Sequence, residues 1–209
     1  MINQFKLSTE PADFPGTRAS LRLGGVTIYA PGDRELAGGF KMVADAIDQC
    51  SESHLTLMRV TLNSEVQEHL KVKVDSTVFG AILGYQLRLG ILDSIPCAAV
   101  SGKVFRTYVH SQQLDRFRDH LEATTAELRL RHMVQVPDIE EKLFGQRRWG
   151  TWSSAFHILA RLVQIGRACY VDEKSFCWPT EIENAINKSL RRVRVIRRAR
   201  VADDQKPTN

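Results

Sequence analysis

The stretch from residue 62 to residue 121 constrains the fold most, because two short amphipathic segments are separated by a turn of only a few residues. Over residues 62–70 the spacing predicts a short helix, with Asn63 or Ser64 as its cap and Val66 and Leu70 turned inward. Residues 71–75 make the turn. Asp75 and Ser76 are then placed to cap a second helix that carries Val78, Ile82, Leu83 and Leu87. Gly90 suits the left-handed position that ends a helix. Residues 103–109 have the β-branched and aromatic content of a strand. Ser111 is placed to cap a third helix, with Leu114, Phe117 and Leu121 inside.

That order of elements is the order of a helix-turn-helix followed by a two-strand wing. In such a unit the first helix supports the second, whose N-terminal turn faces the major groove and is therefore small and polar. Lys73, Ser76 and Thr77 occupy that position here, and Lys103 and Arg106 fall on the wing, where phosphate contacts belong. Upstream, residues 20–29 alternate around Gly24 and Gly25 and read as a β-hairpin. Asp33 can cap a helix with Leu36, Phe40, Val43 and Ile47 on one face, ending near Cys50 and Ser51.

The chain also matches itself. Residues 62–70 align with 135–143, and the second helices align at their terminal glycines, Gly90 and Gly166. A third helix after Thr180 would answer the one after Ser111. In the second copy the turn spans residues 144–152 and contains Gln146, Arg147 and Arg148. Thr151, Ser153, Ser154 and His157 are expected on the exposed first turns of its reading helix. Trp152 reads as a core plug, and Trp178 as a core residue of the second wing. The expected fold class is mainly α with short β-wings: two tandem winged helix-turn-helix units behind a small hairpin and helix. The expected divisions are 1–55, 56–128, 129–201 and a disordered tail at 202–209.

The net charge of +5 says little by itself. Between residues 142 and 200, however, thirteen Lys and Arg stand against four Asp and Glu. Lys174 lies in this region. Arg191, Arg192, Arg194, Arg197, Arg198 and Arg200 crowd its end. A basic segment on an otherwise balanced chain is the footprint of a polyanion partner, most often nucleic acid. The bland alternative is a solvated helix face with a basic tail.

The four cysteines have no CxxC spacing, and the six histidines have no ligand spacing. They read as core cysteines in a reducing compartment, with no metal site. No P-loop or GxSxG is present, so neither catalytic residues nor a cofactor are expected. No apolar run approaches the ~18 residues of a membrane span, and no secretory signal opens the chain. The expectation is a cytoplasmic, nucleoid- or plasmid-associated protein without membrane contact.

The unit from residue 61 to 121 resembles the MerR/excisionase class of winged helix-turn-helix domains. The residues that carry the resemblance are the Val66/Leu70 scaffold, Ser76 and Thr77 opening the reading helix, the stop at 89–92, and the wing leading to Leu114 and Phe117. Two such units behind a helix at 34–49 are similar to the C-terminal DNA-binding half of TniQ/TnsD-type transposition target selectors, although that family's cysteine pairs are missing. The resemblance implies a sequence-specific binder of double-stranded DNA without catalysis, with transposition or replication proteins as further partners. A plasmid replication initiator, a transcriptional regulator and a protein-docking module with a basic surface are the alternatives.

Overall fold

The computed structural model describes residues 6–16, 18–147, 150 and 152–180. Arg148, Trp149, Thr151, the expected helix after Thr180, the arginines at 191, 192, 194, 197, 198 and 200, and the tail at 202–209 lie outside the described residues.

After a 3-10 turn at Pro11–Asp13 comes the expected hairpin. Strands β1 (Ala19–Leu23) and β2 (Val26–Ala30) close on Gly24 and Gly25. Gly24 takes φ +60°, a conformation in which a side chain would be strained. Helix α1 (Asp33–Glu52) follows and buries Leu36, Val43, Ala46 and Ile47. Its cap is Gly32, so Asp33 is instead the first helical residue. There its carboxylate, with that of Glu35, favours the positive end of the helix dipole.

Strand β3 (Leu57–Met58) leads directly into α2 (Arg59–Leu70). This helix starts earlier than the sequence suggests. Met58 is its cap without a side-chain bond, and Asn63 and Ser64 lie inside it. After the turn comes α3 (Ser76–Arg88), capped by the Asp75 side chain and followed by Gly90 at φ +71°. Strands β4 (Leu92–Ala98) and β5 (Val104–His110) form a hairpin, and β5 lies between β3 and β4 in an antiparallel sheet. The next helix is not capped by Ser111. Instead the His110 side chain accepts the Gln112 N–H, and a single 3-10 turn precedes α4 (Leu114–Arg131).

The order then recurs. Strand β6 (Met133–Gln135), helices α5 (Val136–Phe144) and α6 (Ser154–Gln164), and strands β7 (Cys169–Tyr170) and β8 (Ser175–Cys177) follow, with β8 between β6 and β7. Helix α1 packs on α2 and α3, and α4 packs on α6 and β6. The helix expected to close the first unit therefore opens the second group of elements.

Two apolar clusters follow this grouping. One runs from Ala19 to Leu92, and the other from Cys97 to Phe176. Strand β4 is the joint, since it contributes Leu92 to the first and Cys97 to the second. Leu55, Val109, Phe117 and Ile158 form a third cluster, which shares the neighbours Ile95, Leu121, Leu143 and Phe144 with the second. Polar bonds fix the same seam. Arg161 on α6 donates to the Pro96 carbonyl at 3.1 Å, and the Tyr170 hydroxyl donates to that of Ala98 at 2.7 Å. No helix among the described residues is long and apolar enough to cross a membrane.

Candidate nucleic-acid interface

The first turn of α3 is open to solvent. Asp75 Oδ1 accepts the backbone N–H groups of Thr77 and Val78 at 2.8 and 3.0 Å, which anchors the turn from below. Val74 is buried, so the residues beside it are held in place. Lys73, Ser76 and Thr77 are all exposed and sit within about one helical turn of one another.

Helix α3 divides cleanly. Val78, Phe79, Ile82 and Leu83 enter the core, while Thr77, Gly80, Ala81, Gly84 and Arg88 line the outer face. Two glycines inside a helix cost about 1 kcal/mol each relative to alanine, so the space they leave needs a reason. Arg59, at the start of α2, supplies it at Gly80. Its Nη2 donates to the Ser76 carbonyl at 2.8 Å, and a Cβ on Gly80 would collide with that nitrogen. Arg59 and Arg88 belong to this face, and the sequence reading missed both. The available signal was the pair of glycines four residues apart in an otherwise helical pattern.

Lys103 and Arg106, expected on a wing, are exposed on the β4–β5 hairpin. Arg106 donates to the Ser94 hydroxyl at 3.0 Å across the two strands. All five residues expected to act in the first unit are therefore accessible.

The second unit differs from expectation. Ser153 and His157 are buried, and Ser154 is half-buried. Ser153 accepts the Phe156 N–H at 3.2 Å, and Glu140 Oε2 accepts that of Ala155 at 2.9 Å, so the first amides of α6 are engaged inside the protein. The His157 ring lies against Thr56 and Thr107, with Nδ1 at 2.8 and 3.4 Å from their hydroxyl oxygens. Thr107 donates its own hydroxyl to the Leu57 carbonyl at 3.2 Å. Thr56 also donates to the Ser154 hydroxyl at 3.1 Å. Helix α6 lies between α4, α5 and β4, and this is why its tip is covered.

The remaining predicted residues lie apart from α3. Gln146 and Arg147 are exposed after α5, and Arg147 pairs with Asp138 at 3.2 Å and Glu141 at 3.9 Å. Lys174 is exposed in the β7–β8 turn. Asp172 braces that turn by accepting the Lys174 and Ser175 N–H groups, and the first of these bonds holds its carboxyl below the usual range. Trp152 is 66% exposed rather than plugging a core. Trp178 packs against the second cluster beneath the Arg129 guanidinium, 4.9 Å from its ring centre. Burial pushes the Cys97 thiol up to about 12, which leaves it no nucleophilic thiolate at neutral pH.

No family model matches the chain, and no curated protein matches it. Among solved structures it is similar to the Methanosarcina barkeri Roco2 RocCORdC structure bound to GDP, at TM-score 0.40 and 11% identity. The alignment covers 67% of this chain and 43% of that one. A likeness at that level carries no argument about fold or ligand.

Proposed function

We propose that this chain is a non-catalytic binder of double-stranded DNA and that it reads through α3 alone. In this reading both groups of elements are winged helix-turn-helix units. The repeated order of one helix, one strand, two helices and a hairpin, with the last strand in the middle of each sheet, supports it. The second unit then serves as a brace: α6 lies along β4 and fixes the wing that carries Lys103 and Arg106.

The observation that carries the reading is the open first turn of α3. Ser76 and Thr77 are solvent-facing polar side chains, and Lys73, Arg59 and Arg88 lie around them. Small polar groups at the tip of a second helix suit base edges, and the cations suit phosphates. The arginines at 191, 192, 194, 197 and 198 add salt-sensitive affinity on sequence grounds. One reading unit predicts a footprint of about one helical turn, about 10 base pairs.

The test is an anisotropy titration of fluorescent duplexes selected by the protein from a random pool. Lys73→Ala and Thr77→Ala are expected to weaken binding, and Arg147→Ala to leave it unchanged. Equal affinity for selected and shuffled duplexes would reduce the chain to a merely basic surface.

A further inference from the structure

The turn of the β1–β2 hairpin stands beside the outer face of α3, and between them runs a groove of about 390 Å³. Gly24 and Gly25 form one wall, and Thr77 and Gly80 the other, with Arg59 and Arg88 among the lining. Among the described residues no carboxylate lines it. Neither arginine pairs with a carboxylate among the described residues. Arg59 is held in place nonetheless. Its Nη2 bonds the Ser76 carbonyl, and its guanidinium occupies the space that a Cβ on Gly80 would need. The rest of its donor fork has no bonded partner among the described residues. A seated guanidinium with spare donors, beside a second cation and an open backbone turn, is suited to a phosphate oxygen.

We infer that this groove grips a phosphodiester of the DNA strand that flanks α3, with Arg59 as its pre-positioned cation and the Gly24–Gly25 turn as its far wall. The inference rests on the DNA reading above. It gives the N-terminal hairpin a role, and it explains why the residue at position 80 has no side chain.

Salt-dependent titration with duplex DNA tests it. Arg59→Ala is expected to weaken binding about tenfold and to lower the slope of log affinity against log salt by about 1. Gly80→Ala retains every cation but displaces the guanidinium, so it should also lose affinity. Arg59→Lys should fall between the unaltered chain and Arg59→Ala, because it keeps the charge without the fork. Arg118→Ala, on α4, should change nothing. Circular dichroism and a thermal melt establish that each variant is folded, and Arg59→Ala carries the test if Gly80→Ala is not.

If Arg59→Ala and Gly80→Ala both bind as the unaltered chain does while Thr77→Ala is weakened, the grip is overturned and the DNA reading stands. If the unaltered chain binds no duplex, both fall. If Arg59→Ala binds duplex as the unaltered chain does but loses binding of inorganic phosphate that the unaltered chain shows, the groove holds a free phosphate and the inference is overturned.

Discussion

Helices α3 and α6 occupy the same place in two successive groups of elements, and their first turns have opposite fates. Both are capped by a side chain, Asp75 in one and Ser153 in the other. Beyond the cap the first turn of α3 meets solvent. That of α6 meets Glu140, Thr56 and, through His157, Thr107. The difference lies in the neighbours. Helix α6 is wedged between its own group and β4 of the other, whereas α3 keeps its outer face open beside a hairpin turn. A shared order of elements therefore does not carry a shared exposure; what covers the helix tip decides it.

Five substitutions sharpen or break that contrast. The largest effect is expected at Leu159, fully buried on α6. Leu159→Ala should destabilise the protein by about 2–5 kcal/mol in a denaturant titration. His157→Ala should cost about 1–3 kcal/mol, because it empties the place of a fully buried ring and removes the bond that ring shares with the Thr56 hydroxyl; a neutral result would mean that the α6 tip is not locked.

Glu127 on α4 concerns the frame around α6. It is buried, and it pairs with Lys142 of α5 and with Arg131. The bond from Lys142 is the main reason its carboxyl is held below the ordinary value of 4.5. A depressed folded-state value stabilises at pH above the unfolded value, and that contribution is lost as pH falls from about 4.5 through the folded value. Glu127→Gln should therefore lower the melting temperature at neutral pH, and the gap from the unaltered chain should close on acidification. A gap that is constant across pH would contradict this.

On α3 the effects on stability are smaller. Asp75→Ala should cost about 1 kcal/mol through the lost cap. Thr77→Ala should stay within about 0.5 kcal/mol of the unaltered protein, while its DNA affinity falls. A large stability loss from Thr77→Ala would mean that this turn is structural after all.

Much of the first group was legible because its signals are local. The Gly24–Gly25 turn, the spacing of Leu36, Val43 and Ile47, the Asp75 cap and the Gly90 stop each act over a few residues. The start of α2 was not legible, since Met58 offers no capping group. The burial of Ser153 and His157 was hidden for another reason: the groups that cover them, Thr56 and Thr107, lie 50 to about 100 residues away in the chain. A sequence sign did exist. Residues 155–163 are apolar almost all the way round, which marks a helix enclosed on every side. Arg59 was overlooked because its partner Ser76 lies across a turn, 17 residues on.

The most direct test of α3 as the reader is backbone hydrogen exchange on the full chain, with and without a duplex selected from a random pool. Protection on binding is predicted at residues 73–80 and 101–106, with no change at 153–157. Protection confined to 153–157, or a bound complex in which α3 exchanges as it does without DNA, would contradict the account.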